Sequence, residues 1–538
     1  MNQLFQNPML PKPVLFSTFS KMKSILFSAF FILFLTACSP TKKAATALQT
    51  YNEPHRPQIH FSPQQAWMND PNGMVYFNGV YNLFYQYYPD STVWGPMHWG
   101  HATSNDLVHW QHQPIALYPD SLGYIFSGSA VVDAANTSGF GADGVAPVVA
   151  IFTSHDPKGE KSGKNNFQNQ SLAYSLDAGK TWTKYSGNPV LNNPGIRDFR
   201  DPKVQWYEAS KKWIMTLATL DRITFYSSPD LKTWTKESDF GNGAGAHGGV
   251  WECPDLFPLD CNGQTVWVLL VSINPGGPNG GSATQYFTGQ FDGKMFTPYQ
   301  TDTRWIDYGP DDYAGVTWSN TGNRKIFLGW MSNWQYATVV PTQKWRSAMT
   351  VPRDLHLQKI GETYWLCSTP VPEINKLAAP AITAQNIEAH NYDLTANVGK
   401  LSGPASLHFS ADHIKNFSIT LFNHAGEKLV VGYDENSNHY FIDRTTSGSI
   451  NFEKGFAGKH SAPRLSDNAT VDITLIIDNA SVEVFADNGL TVMTEIFFPT
   501  TPFSNITIQS TNDFTIRSLQ YRKMKSIYST DNSAAWLK

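Results

Sequence analysis

Charge and cysteine are both scarce in this chain, and so is helical periodicity. Only 16% of the 538 residues are charged and the net charge is −4. That argues against a nucleic-acid partner, because phosphate binding needs clustered lysine and arginine. The four cysteines, Cys38, Cys253, Cys261 and Cys367, contain no CxxC pair, so neither a zinc site nor a disulfide framework is indicated. A Cys253–Cys261 bridge stays open for an exported chain. With no ligand cluster in view, neither a metal nor an organic cofactor is expected.

Near the start lies an apolar run, SILFSAFFILFLTAC from Ser24 to Cys38, preceded by Lys21 and Lys23. It is too short for a comfortable membrane span and has the form of an export signal. Leu35-Thr36-Ala37-Cys38 resembles the bacterial lipoprotein box. Residues 1–37 therefore read as a signal peptide, with Met22 a more natural start, Cys38 as the lipidated residue and residues 38–56 as a polar tether. Membrane contact is expected through that anchor alone, on a protein in the periplasm or at the cell surface. The basic SPTKK after the box favours the periplasm.

What the chain does have is aromatic side chains: 17 Trp, 23 Tyr and 33 Phe. These suit strands, and their flat faces also stack on sugar rings. Between about 57 and 365, short β-rich runs recur between Gly/Asn/Asp/Pro turns, among them PVVAIFTS, KWIMTLAT, TVWVLLVSI and RKIFLGWMS. SNDLVHW (Ser104–Trp110), SLDAGKTW (Ser175–Trp182) and SPDLKTW (Ser228–Trp234) form a near-repeat, and the second matches the Asp-box hairpin of β-propellers. At roughly 60 residues per blade, about 300 residues make five blades. After Pro370, Pro372 and Pro380 the pattern becomes alternating strands. The expected fold is all-β: a five-bladed β-propeller over 57–366, a linker over 367–384, a β-sandwich over 385–524 and a tail over 525–538.

Three acids stand out in the first domain: Asp70 in WMNDPNG, Asp201 in FRDPKV and Glu252 in GGVWECPDLF. Each is flanked by apolar or aromatic residues and a proline. Each segment reads as a rigid turn presenting one carboxyl, in surroundings that raise carboxyl pKa values. Two carboxyls of unlike pKa are what glycoside hydrolysis requires.

Together WMNDPNG, FRDP and WECPD resemble glycoside hydrolase family 32, the retaining β-fructofuranosidases that include invertases, inulinases and levanases. FYQYYP, FSGSAVVD, DYAGVTW and GWMSNWQYA agree with it. The resemblance implies a five-bladed propeller with an appended sandwich. It also implies Asp70 as nucleophile, Glu252 as acid/base and Asp201 as transition-state stabiliser. Around the terminal fructose it implies Asn69, Gln86, Trp94, Phe126, Ser127 and Arg200, with Tyr313 and Trp334 at the rim. One departure falls in Gly309-Pro310-Asp311-Asp312-Tyr313-Ala314, where Asp312 replaces the usual aromatic and puts that pocket wall in question.

The leading expectation is release of terminal fructose from levan or inulin, and from sucrose. Endo-levanase action and transfructosylation are alternatives within the enzyme class, and a sugar-binding propeller is the non-enzyme alternative. The Asp-box alone suggests a sialidase, but no arginine triad or tyrosine nucleophile is identified. Gly243–Gly248 matches GxGxxG without a βαβ unit, and His98 and His101 read as hydrogen-bonded structural residues.

Overall fold

The computed structural model describes residues 51–510 and 513–528. The signal segment and Cys38 lie outside them. The regular secondary structure of the described residues is almost entirely strand, with three helical pieces of five or six residues: Pro157–Lys161, Pro372–Leu377 and Leu394–Val398.

From residue 66 to 370 the strands form five successive sheets of four or five strands, each an antiparallel meander apart from two-residue additions. The first strands of these sheets are β1 (Ala66–Phe77), β2 (Tyr124–Val132), β3 (Phe199–Tyr207), β4 (Val250–Cys261) and β5 (Tyr313–Thr317). Each packs against the first strands of the sheets before and after it, and β5 also packs against β1. The next strands out are largely buried; Val148–His155 is buried at all eight positions. A strand covered on both faces by neighbouring sheets has no reason to alternate.

The near-repeat occupies one place in three sheets, the turn between third and fourth strands. Asp106, Asp177 and Asp230 each accept a hydroxyl from the serine two residues earlier and one or more backbone N–H groups from the turn. Trp110, Trp182 and Trp234 each donate their indole N–H to a carbonyl three residues back. The structure adds a fourth copy: Asp292 accepts from the N–H groups of Lys294 and Met295 in the same place in the fourth sheet, with Gln290 and Phe296 where serine and tryptophan mark the others.

Residues 382–523 form two six-stranded antiparallel sheets. Strands such as Ala405–Ala411 and Phe417–Phe422 alternate between buried and half-buried positions, the mark of a sheet packed on one face. Ser481–Ala486 and β6 (Thr491–Ile496) do not alternate. All their residues are buried, because the first domain covers their second face.

That seam is charged. Arg353, fully buried, donates to Asp307 and Asp312 (both 3.0 Å) and to Glu483 (3.1 Å). His60 lies between Asp478 and Glu483, 2.8 Å from each. Burial opposes a charge on His60, but the two carboxylates outweigh it and lift its pKa to about 9. Arg444 donates to Asp311 (2.7 Å) and to the Tyr336 hydroxyl (3.0 Å). The end of the stretch read as a tether is packed here too. Tyr51 stacks on Tyr528 at 3.9 Å, and Arg56 is fully buried against Trp345.

Candidate active site

The three acidic motifs do not form turns between strands. WMNDPNG lies within β1, FRDPKV within β3 and WECPD within β4. What replaces the turn is a bulge. In all five first strands, three steps of chain stand opposite two on the neighbouring strand: Met68 to Pro71, Ile125 to Gly128, Arg200 to Lys203, Glu252 to Asp255 and Tyr313 to Val316. An extra residue re-aims the side chains around it and breaks the ladder locally. Proline, which has no N–H to contribute, is tolerated at a bulge on an edge strand, and Pro71, Pro202 and Pro254 sit there. Asp201 (φ 64°), Cys253 (φ 45°) and Ala314 (φ 55°) lie inside three of these bulges in the left-handed region. Strain of that kind concentrates at functional sites.

These bulges bring the sequence candidates together. Asp70 accepts from Ser127 Oγ (2.7 Å) on β2 and from Asn69 Nδ2 (2.9 Å). Trp67 Nε1 donates to Asn69 Oδ1 at 2.7 Å and fixes which way that amide faces. The Cys253 thiol, on β4, is 3.5 Å from both Asp70 Oδ2 and Asp201 Oδ2. Burial, then the three surrounding carboxylates, push that thiol well above its ordinary pKa, so it remains an S–H donor. Asp201 accepts from Cys253 N (3.0 Å), and its own N–H donates to Thr153 Oγ1 (3.1 Å). Burial raises the Asp201 pKa to about 7; Arg200 opposes the shift, and Glu252 and Asp70 add to it.

Glu252 is held at both oxygens. Arg200 donates to Oε1 from Nε (3.2 Å) and Nη2 (3.0 Å), and the Tyr313 hydroxyl donates to Oε2. Arg200 also reaches Asp198 at 2.5 Å. Burial works against its charge, but Glu252, Asp201 and Asp198 more than restore it. The Tyr313 hydroxyl is pushed well up, by burial first and Glu252 second, so it stays a donor. Tyr313 is 1% exposed, a buried partner of Glu252 instead of a rim residue.

Aromatic side chains surround the acids. Phe126 stacks on His155 at 4.2 Å and meets Trp94 edge-on at 6.0 Å; Trp94 is 39% exposed. Trp334, half-buried, stacks on Trp67 at 5.8 Å. Gln86 is buried, and its Nε2 has no hydrogen-bond partner among the described residues. Such a group suits a polar ligand, because a buried donor left unpaired is costly. The assembly is therefore a cluster of three carboxyls, at least one of raised pKa, walled by aromatic rings.

Comparison with known proteins agrees with this chemistry. The Glycosyl hydrolases family 32 N-terminal domain matches residues 60–370, and the family's C-terminal domain matches residues 373–523. The chain belongs to glycosyl hydrolase family 32. It is similar to a levanase of Bacillus subtilis (strain 168), 44% identical over 534 residues covering 96% of this chain and 77% of the relative. It is also similar to an extracellular exo-inulinase of Aspergillus awamori, 41% identical over 505 residues covering 86% of this chain and 93% of the relative. Among solved structures, exo-inulinase from Aspergillus awamori superposes with a TM-score of 0.80 at 38% identity, covering 89% of this chain and 99% of that one. A β-fructofuranosidase from Schwanniomyces occidentalis, complexed with fructosyl-erythritol, gives 0.80 at 33% identity, covering 88% and 99%.

Several residues of this family 32 site escaped the sequence reading. Cys253 sits inside WECPD, where the sequence suggests only half of a disulfide. Cys253, Cys261 and Cys367 are all buried and free. Cys253 and Cys261 lie eight residues apart on the extended β4, and at about 3.3 Å per residue no bridge can close. Asp198 and Thr153, which hold Arg200 and Asp201, carry no local signal at all. Asp312, expected in the pocket wall, points into the seam towards Arg353. The two histidines behave as ordinary hydrogen-bonding groups: His98 to Pro96 O at 2.9 Å and His101 to Asn82 at 3.0 Å.

Proposed function

We propose that this glycosidase cleaves terminal β-fructofuranosyl units from fructans and from sucrose, with retention, by a double displacement at Asp70 and Glu252. The observation that carries this reading is the convergence of Asp70, Asp201 and Glu252 through bulges of three first strands, in a chain resembling a levanase and an exo-inulinase. Asp70 attacks the anomeric carbon while Glu252 gives its proton to the departing glycosidic oxygen. The bond to the leaving sugar breaks as a fructosyl ester forms. Glu252 then takes a proton from water, which attacks the ester and releases fructose and the Asp70 carboxylate. Asp201, with Asn69, Gln86, Trp94, Phe126, Ser127 and Trp334, binds the fructosyl ring; Arg200 and Tyr313 hold the acid/base.

The five sheets are read as the blades of a propeller, because their first strands adjoin one another and β5 adjoins β1, with the sandwich as a second domain. Export is supported by relatives described as extracellular, and Cys38 is read as the anchor from its lipobox. Labelling with a lipid precursor tests the anchor: a Cys38→Ala protein that still labels overturns it.

For the chemistry, the test is kcat/KM for Glu252→Ala on levan and on an aryl β-fructofuranoside. Loss of the general acid costs about 10²–10⁴-fold with a sugar leaving group, whereas an activated aryl group departs unaided. Azide restores turnover on the aryl substrate by attacking the stranded ester. Equal losses on both substrates refute the assignment. The product time course decides the mode: fructose alone from levan and inulin means exo-action, a ladder of oligosaccharides endo-action.

A further inference from the structure

Residues 307–312 join the fourth sheet to the fifth, lie in the seam and lead directly into Tyr313 of the pocket. Their backbone docks on the open edge of β6: Tyr308 N donates to Val492 O (2.8 Å), and Asp311 N to Thr494 O (3.2 Å). The carboxylates extend this ladder. Asp307 accepts from Thr494 N (2.9 Å) and Thr494 Oγ1 (2.6 Å), and Asp311 accepts from Ile496 N (3.0 Å) and Arg444 Nη1 (2.7 Å). Gly309 lies so close to β6 that a Cβ there would meet the Thr494 backbone at 2.2 Å. Asp312 is tied to Arg353, which also holds Glu483 and Thr494 of the sandwich. The very next residue is Tyr313, whose hydroxyl donates to Glu252. No slack chain separates the clamp from the tyrosine.

We propose that the sandwich domain positions the acid/base. Strand β6 and Arg444 hold residues 307–312, and through them fix the Tyr313 hydroxyl against Glu252. This inference rests on the reading of Glu252 as the acid/base. Thr494 and Arg444 are positioning residues, since neither contacts Glu252 itself. A hydrogen bond weakens steeply with misalignment, and a shift of about 1 Å near the chemistry can cost about 10²-fold. The Tyr313 bond and the Arg200 fork take opposite oxygens of Glu252, so loss of the first frees the carboxyl to rotate about the second. The sandwich is in this view part of the catalytic apparatus and not solely a cover for one face of the first domain.

The test uses the full chain and the same two substrates, levan and an aryl β-fructofuranoside, with kcat/KM corrected for folded protein. Tyr313→Phe breaks the contact directly and lowers kcat/KM on levan by about 10- to 100-fold, with little change on the aryl substrate. Thr494→Val keeps shape and backbone hydrogen bonds while deleting the hydroxyl that ties Asp307 to Arg353. It shows the same split at about 3- to 10-fold, as does Arg444→Lys. Equal changes on both substrates, or none, in Thr494→Val mean that the sandwich only stabilises, and overturn the proposal. If Arg444→Lys does not fold, Thr494→Val decides alone. Absence of a split in Glu252→Ala itself would instead show that the acid/base reading has failed.

Discussion

The pocket and the seam are built from the same parts. In each, one arginine serves several carboxylates: Arg200 with Glu252, Asp198 and, at 4.0 Å, Asp201; Arg353 with Asp307, Asp312 and Glu483. The difference is access. Side chains of the Arg200 group keep 6–19% of their surface exposed, whereas those of the Arg353 group keep 0–1%. A partly open cluster can admit a substrate and exchange a proton with it. A sealed one admits no substrate and acts only through what it holds in place, and breaking it leaves a buried charge without its partner. Identical chemistry thus becomes an open site or a rigid support according to what the fold places over it.

The sharpest way to break this comparison is on the open side. Asp70→Ala lowers turnover by at least about 10⁴-fold on both substrates, since no other group can form the ester, while its melting temperature stays close to that of the parent. Fructose release and calorimetry check the two halves. On the sealed side the larger effect falls on stability. Glu483→Gln weakens the partner shared by Arg353 and His60, costs about 3–5 kcal/mol of stability, and lowers the melting temperature in a calorimetric scan.

A smaller effect concerns pH. Burial first, and then Asp307 and Glu483, hold the Asp312 carboxyl well above its ordinary range, with Arg353 opposing. A raised folded-state pKa means that its contribution is fully present below the unfolded value, about 3.9, and is lost as pH rises through the folded value. His60 acts in the same direction, and its contribution is lost as pH rises through about 9. Asp312→Asn therefore loses less stability than the parent when denaturant midpoints are compared from about pH 5 to about pH 10. An identical slope in the two proteins contradicts this account. The smallest expected effect is that of a reductant. Cys253, Cys261 and Cys367 are free, so dithiothreitol leaves the melting temperature unchanged.

Much of the site was legible because the chemistry dictates residue types. Asp70, Asp201 and Glu252 announce themselves through apolar flanks and a nearby proline, and those same prolines led to turns where the structure has bulges. The error is instructive, since a proline inside a strand is excluded only where its N–H is needed. On an edge strand it is not, and no local pattern shows which strand is an edge. The repeat was legible where serine and tryptophan mark the turn and illegible at Asp292, where Gln290 and Phe296 fill the same places.

The amino-acid sequence alone determined the all-β class, the change from continuous to alternating strands near residue 370, and the three acids that converge on one pocket. Each of these is written in local composition and period. Tertiary structure decided the rest. Asp312, just before β5, faces the seam and Tyr313, its first residue, the pocket, because successive residues of extended chain point to opposite sides, and only docking on β6 sets which side is which. Cys253 lies between two carboxylates because β1, β3 and β4 come from distant parts of the chain. Contacts between residues 183 and 52 positions apart leave no trace in the neighbourhood of either partner.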